Sequence, residues 1–260
     1  MIGLGIKISA YDNLAHKITA PLDIPFSLPF YFDFSLSTGD DGDAITTSGD
    51  LSKGLTNLGS GGTTYLASPS GGVALDTDTF TTRLNSFKFD GSDDKLTLAN
   101  GFTTTNKSLT AFAAYRTDDV GGTSSSDDDC LFSKTDTNGQ DKIVLTQANV
   151  VQFRANANTA VNITTNNTSN STVSYSFSDD AVEVLVLRRD TSGNVSLYNK
   201  AGDFIGYSAT TDGANFECQS ICDLGANEFG GFVGEIGMYD ADIGDQYARD
   251  LARYLNERWG

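Results

Sequence analysis

Two packed antiparallel sheets closed by one C-terminal helix, an all-β fold, are what this sequence predicts, and three observations carry the prediction. Gly, Ser, Thr, Asn and Asp are abundant in the composition, whereas the helix formers Glu and Lys are sparse. Short apolar or alternating runs recur between clusters of turn residues, the pattern of a sandwich. The last stretch then changes period, from a strand over residues 232–239 to helical spacing over 244–259. At 260 residues, one large β-domain with an added segment fits the length as well as two small domains.

Taken in order, Ile2, Leu4, Ile6 and Ile8 alternate with Gly and Lys, the two-residue period of a strand with one covered face. Pro21, Pro25 and Pro29 follow at a spacing that resists helix and keeps the chain extended. Residues 1–29 therefore read as an N-terminal arm that anchors against its own domain or a partner, through those four aliphatic side chains and three prolines. A first strand of the sandwich is the alternative. The sandwich itself is assigned to residues 30–260, beginning with a strand at 30–34 and long polar loops.

Residues 59–62 and 70–72 are glycine turns and not phosphate loops, because no Gly-Lys-Ser/Thr follows either. Residues 87–90 and 95–98 flank Gly91-Ser92-Asp93-Asp94 as a hairpin-like unit. Further strands are predicted at 109–116, 131–133, 142–145, 150–154, 161–163 and 173–177. The most apolar interior run, 182–189, reads as a central strand, and turns at 190–194 and 199–203 return the chain through two more. In the final segment Tyr247, Leu251, Tyr254, Leu255 and Trp259 form a helical stripe, with Asp245 in the first turn and Arg258 in the last to suit the helix dipole.

Chemistry is thin along this chain. A net charge of −17 leaves no cationic surface for nucleic acid, and no run of about 18 apolar residues offers a membrane span. The N-terminus lacks the order of a secretory signal, so extracellular life is expected by another route, such as assembly within a cell and release in a virus particle. Cys218 and Cys222 are candidates for a small disulfide loop, and Cys130 reads as a buried thiol. Calcium is the cofactor to consider, with Asp127, Asp128 and Asp129 as its candidate ligands; the surrounding loop lacks EF-hand spacing, and solvated turns are the simpler reading. Glu183, Glu217, Glu228, Glu235 and Glu257 do not form the strand-borne pairing of a glycosidase, His16 is a lone imidazole, and no nucleophile elbow occurs. Sugar-stacking candidates are Tyr65, Tyr115, Tyr175, Tyr198, Tyr207, Phe216 and Phe229, most of them better suited to a core.

Two stretches resemble the concanavalin A-like, laminin-G-like jelly-roll family of the type found in bacteriophage structural proteins. Residues 87–98, Phe-Lys-Phe-Asp-Gly-Ser-Asp-Asp-Lys-Leu-Thr-Leu, are similar to its early strand pair, and residues 232–239 with the closing Tyr254-Leu255-Asn256-Glu257-Arg258-Trp259-Gly260 are similar to its end, with Arg258 in place of the usual lysine. The resemblance implies two curved sheets, often a calcium site, and a ligand surface on the concave side or loop rim. With the acidity and the apolar arm it points to a non-enzymatic virion structural or capsid decoration protein on the particle surface, in contact with other capsid or tail proteins, with glycans, or with further copies of itself as a homo-oligomer. The alternatives are a lectin-like carbohydrate-binding module or tail-associated receptor-binding protein, and behind these a glycan hydrolase.

Overall fold

A computed structural model describes residues 18–77, 80, 84–119, 128–134, 141–155, 160–165, 171–209, 214–225 and 228–260. Within them the strands, in chain order, are β1 (Phe30–Asp33), β2 (Ala67–Ser70), β3 (Ala74–Asp76), β4 (Ser86–Asp90), β5 (Lys95–Thr103), β6 (Leu109–Thr117), β7 (Asp129–Ser133), β8 (Lys142–Gln147), β9 (Val150–Arg154), β10 (Val161–Thr164), β11 (Glu183–Arg189), β12 (Val195–Tyr198), β13 (Phe204–Ser208), β14 (Glu217–Ile221) and β15 (Gly230–Tyr239), followed by helix α1 (Gly244–Trp259). One sheet runs β13-β12-β11-β6-β15-β4-β3 with β1 beside the second half of β15; the other runs β10-β9-β8-β7-β14-β5-β2. Every strand pairing is antiparallel, as the sequence predicts.

The two-residue period explains why the first sheet is covered on both faces. On β11, Leu185 and Leu187 point between the sheets, while Val184 and Val186 point the other way, beneath α1. β6 divides likewise, with Ala111, Ala113 and Tyr115 inward and Phe112 and Ala114 outward. Consecutive apolar residues are what a strand needs when neither face meets water, and the run Val184-Leu185-Val186-Leu187 is why 182–189 reads as central.

Helix α1 lies on that outer face through buried Leu251, Leu255 and Trp259, with Tyr247 and Tyr254 partly covered beside them. Burying such side chains contributes about 1.5–3 kcal/mol each. Arg188 on β11 anchors the segment leading into the helix, its guanidinium donating from Nε to Asp242 Oδ1 at 2.6 Å and from Nη2 to Oδ2 at 2.9 Å. The far end is pinned by Trp259, whose Nε1 donates to Glu235 Oε2 at 2.8 Å. Gly234 makes room for the indole, since a Cβ there would stand 2.5 Å from the ring.

Residues 18–29, the described part of the arm, pack on their own domain. Ile18, Ile24 and Leu28 join the cluster under α1, and Tyr239 Oη donates to the carbonyl of Pro21 at 2.6 Å. Pro21 and Pro29 are buried and Pro25 is exposed, while Ile2, Leu4, Ile6 and Ile8 lie outside the described residues.

The disulfide expected from Cys218 and Cys222 is not formed; both, like Cys130, are buried free thiols. Cys218 sits within β14 and Cys222 follows its last residue. A strand rises about 3.3 Å per residue, so positions four apart stand roughly 13 Å from each other, beyond the ~7 Å that a disulfide spans. Short spacing in sequence suits a disulfide loop only where the backbone turns.

Candidate functional site

The chain passes between sheets again and again at one end of the sandwich. β2 and β3 belong to opposite sheets, as do β4 and β5, and both connections lie at this rim. β6 ends there and β7 begins there, because Thr117 stands opposite Gly231, Gly230 stands opposite Asp90, and Gly230 N donates to Asp129 Oδ1 at 3.3 Å. Crossings favour glycine and aspartate, which tolerate turn conformations and bond to their own backbone. Acidic residues scattered through the sequence are thereby collected at one edge.

Asp94 ties two of the crossings together. Its Oδ1 accepts from Gly72 N, its Oδ2 accepts from Asp90 N at 2.7 Å, and the residue is 1% exposed. Gly71 sits against the same turn with φ +81°, and a Cβ there would lie 2.5 Å from the Asp93 carbonyl oxygen, so both conformation and contact require glycine. Burial raises the Asp94 carboxyl above the ordinary range, against the pull of its hydrogen bonds from Gly72 and Asp90. Asp90 and Asp93 are exposed, and one oxygen from each of Asp90, Asp93 and Asp94 lies within 4.8 Å of the others. Behind them Asp223 pairs with Lys95 at 3.2 Å, and Glu228 is raised by burial, with the charges of Asp223 and Asp93 adding to the effect.

Beside this acidic lip opens a cleft of about 320 Å³ lined by Ser48, Leu51, Ser52, Pro69, Ser70, Gly71, Gly72 and Val73. One wall is the 3₁₀ turn Ser48–Lys53, fastened where Ser48 Oγ accepts from Leu75 N at 3.0 Å; the other is the β2–β3 crossing. Hydroxyls, backbone groups and carboxylates together offer donors and acceptors to a ligand rich in hydroxyls, and the carboxylates offer hard oxygens to a cation.

Asp128 and Asp129 are buried at this same rim, and Asp127 lies outside the described residues. Among the described residues the three carboxylates close enough to share an ion are Asp90, Asp93 and Asp94, which the sequence marks only as a hairpin turn. Of the aromatic candidates, Tyr115, Tyr198, Phe216 and Phe229 are buried, Tyr65 and Tyr175 pack against the core, and Tyr207 on β13 is 38% exposed. Trp259 is buried beneath α1.

Among the described residues no glutamate, histidine or cysteine lines the cleft. Glu183 is buried, accepting from Tyr175 Oη and at 3.2 Å from Ser178 N and Lys200 Nζ; Glu235 is buried under Trp259. The three cysteines are buried and their thiols are raised, chiefly by desolvation, so they are not poised as nucleophiles. His16 lies outside the described residues.

No family model and no curated protein sequence matches this chain. In fold it is similar to domain 4 of AbnA, a GH43 extracellular arabinanase from Geobacillus stearothermophilus solved in complex with arabinotriose, at TM-score 0.58 and 12% identity over 88% of this chain and 99% of that one. It is also similar to the ligand-binding domain of botulinum neurotoxin serotype D in complex with N-acetylneuraminic acid, at TM-score 0.56 and 11% identity over 91% of this chain and 52% of that one. The binding domain of Paraclostridial Mosquitocidal Protein 1 matches at TM-score 0.54 and 13% identity over 85% of this chain and 52% of that one. The chain thus spans about half the length of these toxin domains. At such identities the likeness establishes the β-sandwich fold.

Proposed function

We propose that the chain is a non-catalytic carbohydrate-binding module that holds a glycan in the rim cleft. The observation that carries this reading is the open cleft itself, where serine hydroxyls and backbone groups form the walls next to the Asp93–Asp94 turn, in a fold similar to that of the arabinotriose-bound domain. Vicinal sugar hydroxyls donate well to paired carboxylate oxygens, and charge-assisted hydrogen bonds are the stronger kind. Glycan-array screening with and without calcium, followed by calorimetry, tests the reading. Saturable binding weakened at least about fivefold by Asp93→Asn, corresponding to roughly 1 kcal/mol, is expected, with no release of reducing sugar. Failure to bind any glycan class at either calcium level would sink it.

As its setting we propose a virion surface, with the module facing outward and the N-terminal segment attached to a capsid or tail protein. Leu22 and Phe26, 54% and 39% exposed, continue the apolar character of that segment and support the reading. Since Ile18, Ile24 and Leu28 belong to the domain's own packing, the informative truncation removes residues 1–17. Particle association should be lost while the melting temperature holds; association that persists after truncation rules the anchor out.

A further inference from the structure

Building on the carbohydrate-binding reading, we propose that the rim cleft selects saccharides carrying a 6-deoxyhexose, whose exocyclic methyl group meets the floor while two adjacent ring hydroxyls are read by Ser48 and Ser52. The floor supplies the reason for the methyl group. Leu51 and Val73, 3% and 8% exposed, line the cleft and belong at the same time to the hydrophobic core between the sheets. Among the described residues no aromatic ring lines it, so the flat apolar face of a sugar ring has nothing to stack on. Apolar contact is left to a small group that reaches the floor, and a methyl group does this without burying a polar atom. A hydroxymethyl group in the same place would set its hydroxyl against aliphatic side chains, which cannot replace the water it leaves.

The hydroxyls on the wall are committed in opposite senses. Ser48 Oγ accepts from Leu75 N at 3.0 Å, which leaves its hydrogen for a ligand oxygen. Ser52 Oγ donates to the Gly49 carbonyl at 3.0 Å, which leaves its lone pairs for a ligand hydroxyl. Both residues are exposed, both line the cleft, and both belong to the 3₁₀ turn Ser48–Lys53. A donor and an acceptor on one turn match two adjacent sugar hydroxyls, one accepting and one donating. Gly71 and Gly72 line the cleft without adding a side chain to it. Its volume, about 320 Å³, is at the lower end of the ~300–1,000 Å³ typical of ligand pockets, which suits a single terminal sugar.

Titration with the methyl glycosides of L-fucose and L-galactose, and of L-rhamnose and L-mannose, followed by amide chemical shifts, tests the selection. Within each pair the sugars differ only in the hydroxyl on C6. In the pair that binds, the deoxy member should bind at least about fivefold more tightly, and Val73→Thr, which sets a hydroxyl on the floor, should bring the two within about twofold. Ser52→Ala, at an exposed position, should keep the wild-type melting temperature and weaken both members about fivefold, leaving their ratio unchanged. If Val73→Thr fails to fold, the comparison within the wild-type chain decides. Equal or tighter binding of the hydroxymethyl member, no binding of any of the four sugars by a chain that binds other glycans, or wild-type affinity in Ser52→Ala would overturn the selection while leaving carbohydrate binding standing. A chain that binds none of the four sugars, nor any glycan of the array, overturns the carbohydrate reading itself and this inference with it.

Discussion

Trp259→Ala is expected to lower unfolding free energy by about 3–5 kcal/mol, the range for deleting a large buried aromatic side chain, as read from the midpoint of urea denaturation. The indole lies in the space that Gly234 leaves, stands 5.4 Å from the Phe80 ring, and is fully covered. Its removal would open a cavity beneath the last turn of α1 and take the Nε1 donor from Glu235. Trp259→Phe separates the two effects, because it retains most of the packing and loses only the hydrogen bond, at a cost of about 1–2 kcal/mol. An alanine variant as stable as the wild type would mean that α1 does not close the sheet. Because the cleft is at the rim and α1 on the outer face, residual folded protein should still bind glycan.

The second large effect is on pH dependence: stability should fall by up to about 3 kcal/mol as pH rises from about 4.5 to above 7, with Glu235 as the principal source. Asp33 and Glu235 stand opposite each other on β1 and β15, both buried, and share one guanidinium. Arg258 Nη2 donates to Asp33 Oδ2 at 2.5 Å, and its Nε lies 3.3 Å from Glu235 Oε2. Burial, joined by the charge of Asp33, pushes the Glu235 carboxyl up to about 7, against the hydrogen bonds from Trp259 and Tyr31 and the charge of Arg258.

A carboxyl raised in the folded state makes the folded chain bind more protons than the unfolded one between about pH 4.5 and 7. The stabilisation is complete below that window and is lost as pH rises through it. Asp94 and Glu228, also raised, act in the same direction. Asp50, held down at about 2 by hydrogen bonds from Thr46 and Thr47, and Asp190, also lowered, act at more acid pH and in the opposite sense. Chemical denaturation at a series of pH values measures the slope, and Glu235→Gln should flatten it. A wild-type slope that stays flat from pH 5 to 7.5, or one that Glu235→Gln leaves unchanged, would exclude this origin.

Several elements were legible because their causes are local. The apolar run Val184–Leu187 within β11 announced a strand covered on both faces, the stripe from Tyr247 to Trp259 announced α1, and Gly91-Ser92-Asp93-Asp94 announced a turn. The candidate site was not legible in the same way. Ser48, Ser70 and Asp94 are meaningful together only because successive crossings bring three separate stretches to one rim. The expected disulfide erred because proximity along the chain was taken for proximity in space, whereas the chain runs extended along β14 from Cys218 towards Cys222. Arg258 and Asp33, 225 positions apart, show the converse, since no periodicity connects residues that meet across a closed sheet.

By itself the sequence determined the β-rich class, the turn positions, the terminal helix and the strongly acidic surface, because side-chain period and turn chemistry act over a few residues. Only the tertiary structure decided which carboxylates gather at one rim, which are buried beneath a helix, and that the cysteines stay apart. Those outcomes depend on which strands pair and where the chain crosses between layers, and that is set by burying both sheets against one another and not by any local run of residues.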